Sequence, residues 1–330
     1  LKKLLKENTM IFRKYSSREK KVSLLGFGTW GLGSDAYGHI SKKNSSKVLD
    51  FAIKNRINFI DTSNIYGQGL AEKRIGDFIS KSNILRSKLF IATKCGMLND
   101  SPSSWKVTQD FSIDNIKRSI KKSLIRLKTD YIDLIQLHSP PIKILKNKKK
   151  INQILKLFIK LKKKGIVKNF GVSVKSPQDA IIVLKNYKSF NFIQLNFSLI
   201  DQRALDFGIL DTAYKKKVSI IARTPLAFGY LAGNVDIKKK DHRKKWSKKQ
   251  TDLWSKGRLN FVKLISRKKI KPASLALLFA TFHPAVKTVI PGMMQIKDVK
   301  ENLKFLSLKK LTKNEIKNLI FGYKNNKWVA

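Results

Sequence analysis

From Val22 onward, short apolar runs alternate with stretches whose apolar residues recur every three or four positions, the signature of successive parallel β–α–β units. The runs predict strands over residues 24–28, 58–61, 89–93, 131–137, 169–173, 192–195, 218–222 and 288–290. The helical spacing predicts helices over 45–55, 70–80, 113–127, 151–163, 177–184, 204–216 and 272–282. Eight strands and their intervening helices fill the chain, and no linker rich in Ser, Gly and Pro divides it. A closed (β/α)8 TIM barrel accounts for that count as one domain.

Composition narrows the class. With 330 residues, 42% of them hydrophobic, the chain can bury a large core, which excludes general disorder. No apolar run approaches the roughly 18 uncharged residues of a membrane span. The first ten residues are studded with lysine and lack a small-residue cleavage pattern, so a soluble cytoplasmic protein without membrane association is expected. The single cysteine, Cys95, cannot form an internal disulfide. The four histidines stand apart from any cysteine or carboxylate at ligand spacing, and no metal is expected. Seventy basic residues face 22 acidic ones, a net charge of +48. A nucleic-acid site would gather this charge with aromatics into a patch, whereas Lys is spread through nearly every segment beside abundant Ile and Asn. A solvated basic surface is the expectation and a specific nucleic-acid site is not, although the runs at 148–150, 162–164 and 238–249 suit weak anion binding.

Gly26-Phe27-Gly28-Thr29-Trp30-Gly31 has the spacing of a dinucleotide fingerprint, but residues 32–38 are turn-forming and offer no helix to receive a pyrophosphate. A strand end at a barrel mouth, open to close approach of a ligand, fits better. Barrel enzymes carry their chemistry at such strand ends. Asp61, Lys94 and His138 close the predicted second, third and fourth strands, and Tyr66 follows Asp61 in its loop. Each alone has a structural explanation, as a loop cap, a rim residue or a satisfied histidine. Together they make a carbonyl-reducing set. A phenol with pKa about 10 is a poor acid near neutrality, an adjacent ammonium lowers it, and a carboxylate keeps that ammonium charged and oriented. His138 would hold the substrate oxygen. Cys95 alternates away from this set and is read as a small buried apolar residue.

These residues resemble the aldo-keto reductases from about Met10 to Leu303. The resemblance rests on Asp61-Thr62-Ser63-Asn64-Ile65-Tyr66-Gly67 with Ala71-Glu72, on Lys94 and His138, and on Gly171-Val172-Ser173 and Gln194. It continues through Arg223-Thr224-Pro225-Leu226, Ile290-Pro291-Gly292 and Glu301-Asn302. It implies Asp61, Tyr66, Lys94 and His138 as catalytic residues. It also implies a nicotinamide cofactor along Gly28, Thr29, Trp30, Asp61, Ser173, Gln194, Arg223, Thr224, Pro225, Leu226, Gly292, Asp298, Glu301 and Asn302. Ser173 and Gln194 would hold the carboxamide, without the Asn that relatives use where this chain has Val174. Arg223 would lie against the nicotinamide, where many relatives have Tyr. Residues 10–15 resemble the family's opening, a hairpin that closes the barrel floor, whereas residues 1–9 have no counterpart and are expected to be a disordered, dispensable extension. The Gly-Val-Ser-Val form and Asp241-His242-Arg243 resemble a bacterial branch of the family.

The implied function is reversible reduction of an aldehyde or ketone with NADP or NAD, in a monomer or weak homo-oligomer whose partner is a small carbonyl or alcohol. The alternative is a cofactor-binding regulatory subunit of the same fold, with little turnover. Relatives that prefer NADP place a basic residue three positions before the Glu-Asn pair. Asp298 stands there, so dual use leaning to NADP is expected. Specificity loops are expected over 98–109 and 227–257.

Overall fold

The structure is a computed structural model that describes residues 10–15, 21–98, 107–233, 235, 237, 241–265, 270–326 and 328. Residues 1–9 and most of the loop expected over 98–109 lie outside the described residues. The chain opens with an antiparallel hairpin, β1 (Phe12–Lys14) and β2 (Lys21–Ser23). Eight parallel strands follow: β3 (Phe27–Gly28), β4 (Phe59–Asp61), β5 (Phe90–Cys95), β6 (Ile132–His138), β7 (Val167–Ser173), β8 (Phe192–Asn196), β9 (Ser219–Arg223) and β10 (Val286–Ile290). They pair in chain order. Bridges from Leu25 to Val289 and from Gly28 to Gly292 join the first strand to the last and close the barrel.

The helices are α1 (Lys42–Lys54), α2 (Leu70–Ile79), α3 (Ile113–Leu127), α4 (Ile142–Lys146), α5 (Lys148–Lys163), α6 (Pro177–Asn186), α7 (Arg203–Asp206), α8 (Ile209–Lys215), α9 (Lys248–Lys263), α10 (Pro272–Thr281), α11 (Ile296–Leu303) and α12 (Lys313–Lys324). All eight predicted strands are present, and α3 has the predicted bounds. The helix expected over 204–216 is instead two, because Gly208 takes a left-handed φ of 61° that stops α7 and starts α8. The loop expected over 227–257 contains most of α9, whose N-terminus is capped by Ser247 Oγ accepting from the Gln250 amide at 3.2 Å.

Strand alternation sorts the side chains. Outward residues, Cys95 among them, join the large core between strands and helices. Inward residues fill the barrel lumen with Phe59, Phe90, Ala92, Leu134, Phe192, Ile221 and Ile290, and Tyr15 and Val22 of the hairpin segment enter this cluster from the floor. The Tyr15 ring meets Phe90 edge-on at 5.1 Å. The hairpin therefore plugs the floor as the family resemblance implied, and polar inward residues are left for the opposite end.

Candidate active site

Asp61 and Lys94 are the next inward positions above Phe59 and Ala92, so the alternation that fills the lumen also aims them into the mouth. Lys94 is 1% exposed and Asp61 3%. The Lys94 ammonium lies 2.8 Å from Asp61 Oδ2, 2.8 Å from the Thr62 carbonyl and 3.3 Å from the Tyr66 hydroxyl, which accounts for its three protons. Asp61 Oδ1 accepts from Gln194 Nε2 at 2.7 Å, and Gln194 Oε1 accepts from Ser173 Oγ at 3.0 Å. One hydrogen-bonded chain thus runs from Ser173 on β7 through Gln194, Asp61 and Lys94 to Tyr66. His138 ends β6 and meets the Tyr66 ring edge-on at 6.3 Å, with its Nδ1 3.1 Å from Ser63 Oγ.

Electrostatics give each group a definite state. Burial alone would lower the Lys94 ammonium, but Asp61 and Tyr66 together more than offset it, and its pKa is raised. Burial holds His138 well below its ordinary value, and the positive charges of Lys94, Arg223 and Lys175 push the same way, so the imidazole is neutral. The Tyr66 phenol is raised, chiefly by burial and further by Asp61; Lys94 and Arg223 oppose this and do not overcome it. The expectation that the lysine would bring the phenol below its ordinary value is corrected: desolvation wins, and Tyr66 keeps its proton.

Arg223 ends β9 and reaches back across the mouth, with Nε 2.8 Å from Asn196 Oδ1 and one terminal nitrogen 2.8 Å from the Val174 carbonyl. Thr224 donates to the same Asn196 oxygen at 3.1 Å, and Pro225 and Leu226 are buried behind it. The opposite wall is aromatic. Trp30 stands 6.2 Å from the Tyr66 ring and 4.4 Å from His242, which packs on Tyr37 and Phe228. Asp241-His242-Arg243 fastens this wall: Asp241 holds the Arg243 guanidinium, Arg243 lies 5.0 Å over the Tyr37 ring, and His242 Nδ1 is 2.8 Å from the Ala36 carbonyl.

Other expected ligand contacts have structural occupations. A Cβ on Gly28 would stand 2.9 Å from the carbonyl oxygens of Ile290 and Pro291, so this glycine lets β3 and β10 close and its free space goes to backbone. Thr29 Oγ1 donates to the Asp61 carbonyl at 2.8 Å. Gly292 is exposed, with only the Tyr37 ring near its missing Cβ. Asp298 Oδ2 accepts from the amides of Met294 at 2.8 Å and Gln295 at 3.0 Å, capping α11. Glu301 pairs with Lys271 and Lys304, and Asn302 is buried. Sequence reasoning passed over Ser63, Gln136 and Asn196. Gln136 lies two residues before His138 on the same inward row and reaches Asp61 at 3.5 Å, a spacing that strand alternation makes visible.

A model of the Aldo/keto reductase family matches residues 24–320. The chain belongs to this family. It is 32% identical over 319 residues to the uncharacterized oxidoreductase YqkF of Bacillus subtilis, covering 93% of this chain and 94% of that protein. It is 27% identical to L-galactose dehydrogenase of Arabidopsis thaliana, covering 93% of each. Among solved structures it is similar to the holo form of aldo-keto reductase AKR11C1 from Bacillus halodurans, with 26% identity, a TM-score of 0.77 and coverage of 95% and 96%. This aldo/keto reductase is accordingly an oxidoreductase, and its strand-end cluster lies at the end of the barrel where this architecture carries its chemistry.

Proposed function

We propose that the protein interconverts an aldehyde or ketone and the corresponding alcohol with NADPH or NADH, and that Tyr66 is the general acid and base. One observation carries this reading: a half-buried, protonated phenol lies 3.3 Å from a buried ammonium and edge-on to a neutral imidazole, at the end of the barrel opposite the plugged floor. The donor set fits a nicotinamide dinucleotide. Ser173 and Gln194 present a hydroxyl and an amide suited to a carboxamide, Arg223 supplies a cation at the mouth, and Lys297 and Lys300 stand on α11 for phosphate. The dinucleotide, when bound, supplies or takes up the hydride.

The protein's own groups handle the oxygen and the proton. In the tautomer this role needs, Ser63 Oγ, 3.1 Å away, donates to His138 Nδ1, and the ring proton on Nε2 can donate to a substrate oxygen. Tyr66 Oη passes its proton to the same oxygen as negative charge develops, and Lys94 steadies the phenolate that results. Asp61 keeps Lys94 charged, and the Trp30–His242 wall sheds water from this corner. The test is Tyr66→Phe. Turnover in NAD(P)H-dependent carbonyl reduction should fall at least about 10²-fold, while quenching of nicotinamide fluorescence on binding stays unchanged. Near-full turnover in that variant would remove Tyr66 from the role.

A further inference from the structure

On the outer wall of the barrel, away from the mouth, a cleft of about 990 Å³ opens among α1, α2, residues 81–89 and the floor hairpin. Its position follows from its lining: Asn58 and Leu89 precede β4 and β5, and Phe12 belongs to β1. Its volume lies at the upper end of the range for small-molecule sites, about 300–1,000 Å³. Phe12, Ile53, Phe78, Ile84, Leu85 and Leu89 give it an apolar interior, and Leu85 is 61% exposed.

The rim is strongly cationic. Lys42, Lys54, Arg56, Lys81 and Lys88 line it, against Asp50 and Asp77. Both carboxylates are already neutralised, Asp77 by Lys42 at 2.9 Å and Lys128 at 2.7 Å, and Asp50 by Lys54 at 2.7 Å. Lys42 and Lys128 hold the Asp77 pKa down at about 2, so the pairing persists at any ordinary pH. Arg56 lies 5.4 Å over the Phe12 ring, and among the described residues neither it, Lys81 nor Lys88 has a carboxylate partner. Three cations without a carboxylate partner among the described residues thus border an apolar recess.

We propose that this cleft binds a free single-chain amphiphile with an anionic head, a long-chain carboxylate, its tail in the recess and its head among Arg56, Lys81 and Lys88. Charge complementarity selects this occupant. Residues 1–9 carry Lys2, Lys3 and Lys6 against Glu7, and a second copy of the chain carries +48, so the rim repels both.

The experiment is calorimetric titration of the full chain with octanoate, decanoate and dodecanoate at about 0.15 M salt, where the Debye length is about 8 Å. Affinity should rise about fourfold per added methylene that enters the recess. Decanoate should bind at least tenfold more tightly than decanol. Lys81→Glu with Lys88→Glu should weaken decanoate at least tenfold. The same charge change on α5, Lys160→Glu with Lys163→Glu, should alter it less than twofold, and Leu85→Asp should flatten the chain-length series. Equal loss with the α5 pair, affinity independent of chain length, or binding that appears only after residues 1–9 are removed overturns the proposal. Carbonyl reduction by the cleft variants should be unchanged, so this outcome is separate from the fate of Tyr66.

Discussion

Lys94→Met keeps the length of the side chain and deletes its charge, which isolates one term of the buried cluster. Asp61, 3% exposed, then faces only the amides of Gln194 at 2.7 Å and Gln136 at 3.5 Å, and the Thr62 carbonyl loses its donor at 2.8 Å. Removing one partner of a buried ion pair costs about 3–5 kcal/mol, because the remaining charge is neither hydrated nor compensated. Unfolding 330 residues at about 2.1 cal/mol/K per residue carries an entropy of about 0.7 kcal/mol/K, so Tm should fall by about 4–7 °C in a calorimetric scan at pH 7. Adding Asp61→Asn should restore much of this loss: the neutral amide needs no counter-charge, and its oxygen can still accept from Gln194. The cycle should show at least about 2 kcal/mol of coupling, at the upper end of the range for contacting residues. A Lys94→Met protein that melts within 1 °C of its parent, at the ~0.7 kcal/mol/K above, would refute the reasoning. So would a double variant no more stable than the single.

Three further outcomes follow from the same geometry. His242 is buried with its pKa lowered to about 4, chiefly by desolvation, and His138 is lowered well below its ordinary value. Below pH 6.5 the unfolded chain binds protons that the folded one refuses, so stability is lost as pH falls, about 2 kcal/mol between pH 6.5 and 5 from His242 alone; denaturant midpoints flat over that window would contradict it. Asp298→Asn should keep the cap on α11 and, if a carboxylate repels a 2′-phosphate here, shift the ratio of NADPH to NADH affinities several-fold toward NADPH, whereas an unchanged ratio removes Asp298 from the site. Gly76→Ala should destabilise by at least about 1–3 kcal/mol, because the new Cβ would fall 2.2 Å from the Arg126 carbonyl where α2 crosses α3, and an unchanged Tm would contradict that close approach.

Strands were legible because a parallel barrel buries both faces of each one, so every strand reads as an apolar run bounded by turns. The strand-end residues were legible for the converse reason: Asp61, Lys94 and His138 are polar residues ending such runs, where a lumen position would otherwise be apolar. What escaped lies outside this logic. α9 is rich in Lys and packs against α10 and α12 with few buried residues, so its apolar face is too sparse to announce a helix, although Ser247 and Gln250 stand at capping-box spacing. Thr312 and Glu315 close a full capping box on α12 in the same way, a local signal that the apolar pattern did not reinforce. The part Gly28 plays in closing β3 onto β10 could not be read, because a glycine needed for strand closure and one needed for ligand approach look alike in sequence. The state of the Tyr66 phenol could not be read at all, since it depends on how completely the Trp30–His242 wall and the strand ends exclude water.

That exclusion has a directional consequence. A phenol raised above its ordinary value is almost fully protonated at neutral pH, the form that donates to a developing alkoxide, so the proposed chemistry runs in the reductive direction without a pH-dependent step on Tyr66. Alcohol oxidation needs the phenolate, which is scarce at pH 7 and grows tenfold per pH unit until the raised value is reached. Lys94 and Arg223 limit how far that value rises, and Lys94 does so only because its own charge is secured. Asp61 secures Lys94, and Gln194 secures Asp61. Gln194→Leu therefore disturbs the proton balance of Tyr66 from two residues away: it leaves Asp61 Oδ1 with only the long Gln136 contact and should shift the alkaline limb of alcohol oxidation. An unshifted limb in that variant, with cofactor affinity alone reduced, would confine Gln194 to carboxamide binding.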